Sequence, residues 1–100
     1  RLLENAVFLE LKRSGHEVFY FDEGPECDFI ARNQDGGLTP LQVCLELNSQ
    51  NQQRETAGLV AACKWLARKE GLLITLDEEK ELTEDGVKIN VLPAWKFLLQ

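Results

Sequence analysis

The sequence predicts an α/β domain with an α-β-β-β-α-β core, followed by a C-terminal hairpin and a short helix. Three observations predict it. Apolar residues recur at helical spacing over residues 2–12 and again over about 48–69, and these two segments flank a block of β-rich runs. Residues 71–76 are short and almost wholly apolar, as expected of a strand buried on both faces. Asp85-Gly86 is a dipeptide suited to the two positive φ values of a tight hairpin turn.

The elements follow in order. In the first helix Leu2, Leu3, Ala6, Val7, Leu9 and Leu11 form one broad apolar face, Glu4, Asn5 and Lys12 stay polar, and Gly15 supplies a left-handed cap. Residues 17–21 are β-rich, and Asp22-Glu23-Gly24-Pro25 is turn chemistry. A strand over 26–31, a loop over 33–37 and a strand over 41–47 complete a three-stranded meander. Asn48 or Ser49 is placed to cap the long helix, which carries Ala57, Val60, Ala61, Trp65 and Leu66 on its apolar face. After the buried strand come the hairpin, with residues 87–92 as its second arm, and Pro93 in the first turn of a helix over 94–99. Trp65 and Trp95 read as packing anchors.

One hundred residues make a single domain spanning 1–100, able to bury roughly two-thirds of its surface. The chain opens at Arg1 and has no methionine, so it is expected to be a domain excised from a larger protein. A net charge of −6 argues against broad, nonspecific nucleic-acid binding, which needs many cations on phosphate. No apolar run approaches the roughly 20 residues of a membrane span, and no segment reads as a signal peptide. No membrane association is therefore expected. The expected location is the cytoplasm, where Cys27, Cys44 and Cys63 stay reduced.

The chemistry-bearing pattern lies on the second and third strands. Side chains alternate along a strand, so Glu26 and Asp28 share one face, and Gln42, Cys44 and Glu46 share another. Paired with those faces aligned, Asp28 stands beside Gln42 and Cys44. That is the layout of a metal-dependent nuclease site, Asp…(Glu/Gln)-x-Lys, with cysteine in the lysine's place. Asp28 suits a hard cation such as Mg²⁺ or Mn²⁺, Gln42 adds a carbonyl oxygen, and Glu4 is an extra carboxylate if its helix packs nearby. A neutral thiol at Cys44 cannot stabilise developing negative charge, and a thiolate has the wrong sign.

The segments Leu3-Glu4-Asn5-Ala6-Val7-Phe8, Glu26-Cys27-Asp28-Phe29, Leu41-Gln42-Val43-Cys44, Glu70-Gly71-Leu72-Leu73-Ile74-Thr75 and Val91-Leu92-Pro93-Ala94-Trp95-Lys96 resemble a known C-terminal module. That module follows an AAA+-type P-loop ATPase domain and is similar in fold to the restriction-endonuclease-like, PD-(D/E)xK nucleases. The resemblance implies that Glu4 is the helix carboxylate, Asp28 the central metal ligand and Gln42 the Glu/Gln position, with Cys44 where active members carry lysine. It also implies an ATP-binding parent domain, since no G-x-x-x-x-G-K-[ST] occurs in this chain.

Each of these residues has a plainer reading. Asp28 is either a metal ligand or a strand carboxylate near a sheet end. Glu46 is either a migrated carboxylate that restores a metal site with Asp28 and Gln42, or a solvated residue. Cys44 is either a reactive thiol or, as is more common for a lone cysteine on a buried strand, a small hydrophobe, and no Cys27–Cys44 disulfide is expected. Arg54 reaches a phosphate or Glu46, or belongs to a solvated first turn. His16 lies in a surface turn. The expected function is an accessory module with a degenerate nuclease-like site that docks to its own N-terminal ATPase domain, a protein partner or nucleic acid. The alternative is an active Mg²⁺- or Mn²⁺-dependent nuclease with a rearranged site.

Overall fold

A computed structural model of the chain describes residues 2–21 and 27–99. The predicted turn at 22–25 and Glu26 lie outside the described residues, as do the side chains of Phe21, Cys27 and Asp28. Helix α1 (Leu2–Arg13) leads into strands β1 (Glu17–Phe21), β2 (Cys27–Arg32) and β3 (Leu38–Val43). Helix α2 (Gln52–Trp65), strands β4 (Glu70–Thr75), β5 (Lys80–Glu84) and β6 (Val87–Pro93), and helix α3 (Ala94–Leu98) follow. The predicted element order is the observed one.

The strands form one six-stranded sheet in the order β1-β2-β3-β4-β6-β5. The first three are the expected antiparallel meander, with Phe29 opposite Leu41 between β2 and β3. β3, β4 and β6 run parallel, Val43 beside Ile74 and Thr75 beside Pro93, and β5 closes the far edge antiparallel to β6. Burial of β4 on both faces follows from its central position: Gly71, Leu73, Ile74 and Thr75 are all buried.

Alternation divides the core into two layers. On one face Phe29, Ala31, Leu41, Val43 and Ile74 pack under Val7 and Leu11 of α1 and Phe97 of α3. On the other, Ile30, Leu73, Ile89 and Val91 pack under Leu59, Ala62 and Cys63 of α2. The four side chains Leu59, Leu73, Ile74 and Ile89 are fully buried, and each removes apolar area worth about 1.5–3 kcal/mol.

Local chemistry explains the ends of the elements. Gly15, at φ +88°, ends α1 in a Schellman turn, with Gly15 N–H donating to the Lys12 carbonyl and His16 N–H to that of Leu11. The same pair of bonds ends α2, from Ala67 N–H to Lys64 and from Arg68 N–H to Cys63, but there a non-glycine residue takes φ +56°. Asp85 and Gly86, at φ +53° and +80°, make the expected two-residue hairpin turn between Glu84 and Val87.

Several boundaries and faces differ from expectation. α2 begins at Gln52 rather than at 49 or 50, but Asn48 does make the bonds of a cap: its side chain accepts from the N–H groups of Gln50 and Asn51 and its carbonyl from that of Gln52, over a turn that leads into the helix. It stops at Trp65 rather than about Lys69, because Ala67 turns left-handed and sends the chain into β4. Its buried face is Thr56, Gly58, Leu59, Ala62 and Cys63, while Ala57 is exposed. Trp65 and Trp95 are not core anchors: they are 64% and 58% exposed, and Ala94 and Phe97 take the inward side of α3. Leu2 and Leu9 of α1 also face solvent. Pro93 ends β6 and stands as the N-cap of α3 rather than in its first turn.

Gly71 sets the approach of α2 to the sheet. A Cβ there would stand 2.9 Å from Leu59 Cδ1 and Cγ and 3.0 Å from Cys63 Sγ. Gly71→Ala should therefore destabilise the fold by about 1–3 kcal/mol in urea unfolding, the cost of overpacking a tight core. Ala67→Gly should stabilise it by about 0.5–1 kcal/mol in the same assay, since relief of left-handed strain exceeds the added freedom of the unfolded chain.

Candidate functional site

The site positions gather where β3 and β4 end. In open α/β sheets ligands bind outside the carboxyl ends of parallel strands. A cleft of about 390 Å³ opens there, lined by Glu4, Val43, Cys44, Glu46, Arg54 and Glu55 among others. Other clefts among the described residues lie elsewhere. One of about 560 Å³, lined by Arg68, Lys69 and Asn90, opens at the start of β4, and one of about 300 Å³ lies between α1, the sheet and Phe97.

β3 does not run to Leu47 as expected; it ends at Val43. Cys44 N–H still donates to the Ile74 carbonyl at 2.9 Å, but the Cys44 thiol then turns to the Glu46 carbonyl at 3.1 Å. The same carbonyl accepts from Asn51 Nδ2 at 2.7 Å, which ties the loop to the start of α2. The predicted common face is thereby broken. Gln42 and Cys44 face α2, whereas Glu46 is exposed and is engaged through its backbone oxygen.

Gln42 is buried, and its amide donates to Glu55 Oε1 of α2 at 2.9 Å. Glu55 also faces Arg54, whose guanidinium stands 3.3 Å from Oε2. Arg54 therefore meets its helix neighbour rather than Glu46, and its side chain is 75% exposed, so the pair adds little to stability. Glu4 comes from the opposite layer. α1 packs on the other face of the sheet, and its half-buried first turn brings Glu4 over the end of β3 into the cleft. Asp28 belongs to β2, beside the Phe29–Leu41 pair, with its side chain outside the described residues.

Electrostatics at the end of β3 favour neutral groups. Burial, and then the nearby Glu55 carboxylate, push the Cys44 thiol above the usual cysteine range. The thiol keeps its proton at neutral pH and uses it on the Glu46 carbonyl. Cys63, deep under α2, is pushed up to about 11 by burial. Cys44 and Cys63 are free thiols; the Cys27 side chain, and with it the Cys27–Cys44 pairing that the sequence disfavours, lies outside the described residues. His16 sits in a half-buried turn against Ser14 Oγ at 3.1 Å.

Among the described residues no three His, Cys, Asp or Glu side chains stand close enough to share a cation. Of the expected ligands, Gln42 is buried and donates to Glu55 through its amide nitrogen, and Glu46 is exposed.

Glu55 and Asn51 are the residues that reading the sequence missed. Glu55 stands four residues before Leu59, so it shares the inward helix face once Leu59 is known to be buried. An apolar face of Ala57, Val60 and Ala61, as the sequence suggests, turns it outward. No periodicity marks Asn51, whose role depends on where the β3 loop ends.

The chain is 36% identical over 110 aligned positions to the uncharacterized protein MJ1544 of Methanocaldococcus jannaschii. The match covers 99% of this chain and 24% of that protein, so the chain spans about a quarter of the length of the curated relative it matches. No family model and no solved structure matches the chain.

A raised thiol pKa lowers the thiolate fraction at any given pH, and the thiolate is the nucleophile. Cys44 should react with iodoacetamide more slowly than a free cysteine at pH 7.5, and its rate should keep rising above the pH at which free cysteine levels off. Peptide mapping by mass spectrometry across a pH series, with Cys44→Ser as control, measures this.

Proposed function

We propose that the chain is a restriction-endonuclease-like domain serving as the C-terminal accessory module of an AAA+-type ATPase, and that it docks rather than cuts. The observation that carries this reading is the state of Cys44. In the place of the lysine that would stabilise phosphoryl charge stands a protonated, partly buried thiol committed to the Glu46 carbonyl. A neutral thiol offers no compensation for a developing oxyanion, so the step that most needs a cation lacks one.

The surroundings support the same reading. Gln42 is held by Glu55, and the cleft walls carry Glu4, Glu46 and Glu55 against the single guanidinium of Arg54. That balance repels a phosphodiester backbone. A relative of which this chain spans only 24% supports a modular setting in a longer protein. In this reading ATP belongs to the parent domain, and the module works in the cytoplasm, in contact with that domain or with a partner protein.

The test is incubation of the purified chain and its Asp28→Asn variant with supercoiled plasmid and Mn²⁺. Neither should nick the plasmid. Cleavage by the wild type that disappears in Asp28→Asn would replace this reading with an active nuclease built on Glu4, Asp28, Gln42 and Glu46.

A further inference from the structure

The three parallel strands run out at one end of the sheet, and each is followed within two residues by a large apolar side chain in solvent. Leu45 comes after β3, Leu76 after β4 and Trp95 after β6, with exposures of 60%, 57% and 58%. Register sets the three strand ends side by side. Val43 pairs with Ile74, Thr75 pairs with Pro93, and the Leu76 N–H donates to the Leu45 carbonyl at 3.1 Å. Acidic residues stand among them, Glu46 after β3 and Asp77, Glu78 and Glu79 after β4. Lys80 pairs with Glu78 at 3.4 Å and Lys96 with Glu79 at 2.5 Å. Among the described residues Glu46 and Asp77 have no Lys or Arg partner.

We infer that this end of the sheet is a docking surface for a lysine- or arginine-rich amphipathic helix of a partner protein. The inference rests on the docking role proposed above and names the partner's chemistry. Spacing supports a helix. Neighbouring strands lie about 4.8 Å apart, so three adjacent strand ends span roughly 10 Å, close to the rise from i to i+7 along a helix. Anchors at i, i+3 or i+4, and i+7 would each meet one of the three apolar side chains. Charge sets the sign of the flanks, since acids around an apolar patch select cations and exclude like charge. A nucleic-acid backbone is repelled for that reason. A second copy of this chain would set acid against acid.

The test uses the chain with Trp65→Phe, which leaves Trp95 as its only indole. The probe is a synthetic helix with leucine at i, i+3, i+7 and lysine on the other faces. It should blue-shift Trp95 emission saturably, and Leu45→Ser with Leu76→Ser should weaken binding at least tenfold while circular dichroism stays unchanged. The same helix with glutamate for lysine should not bind. No saturable shift, equal binding by the serine variant, a shift with the glutamate helix or with a short DNA duplex, or self-association in sedimentation would each overturn the inference. Plasmid cleavage by the same preparation separates the two readings. Cleavage together with helix binding overturns only the non-cutting assignment, and no cleavage without helix binding overturns only the docking surface.

Discussion

Helix α2 can lie against β4 as closely as it does because Gly71 has no side chain. Leu59 and Cys63 occupy the space that a Cβ at Gly71 would enter, and this contact sets the rotation of the helix about its axis. With Leu59 and Cys63 turned inward, Glu55 and Thr56, one turn earlier, must also face the sheet. Thr56 satisfies its hydroxyl on the Gln52 carbonyl at 2.9 Å within the helix, whereas Glu55 reaches across to Gln42. The contact that builds one core layer therefore also determines which carboxylate stands at the end of β3.

The polar groups at that end have complementary roles. The Gln42 amide needs an acceptor in a buried setting, and Glu55 provides one. The Glu55 charge in turn helps hold the proton on Cys44, which suits a thiol that donates to a backbone carbonyl and suits a nucleophile or anion-stabilising group poorly. The small thiol fits against the α2 layer and brings no cation to the strand end.

The carboxyl end of β3, β4 and β6 gathers features that are far apart in sequence. Parallel, in-register strands end together, so the loops that follow them meet. The cleft with Glu4 and Glu55 and the apolar rim of Leu45, Leu76 and Trp95 are two parts of that one edge. The acidic cleft and the exposed apolar side chains therefore share the edge at which the parallel strands end.

The legible parts of this protein were those decided by neighbours in the chain. The order of elements follows from periodicity within each segment. Gly15 and Asp85-Gly86 declare their turns because a positive φ is a property of the residue and its immediate bonds. Even the pairing of the strand bearing Asp28 with that bearing Gln42 follows from a short polar loop between them. Tertiary packing alone decided which face of α2 is buried, since that depends on Gly71, some twelve residues beyond Leu59. It alone ended β3 at Val43, where Asn51 draws the Glu46 carbonyl toward α2, and so separated Glu46 from Gln42 and Cys44. Local bonding sets the identity of each element, but the meeting of Gln42 with Glu55 required two elements to be pressed together at a set rotation, which only the assembled core supplies.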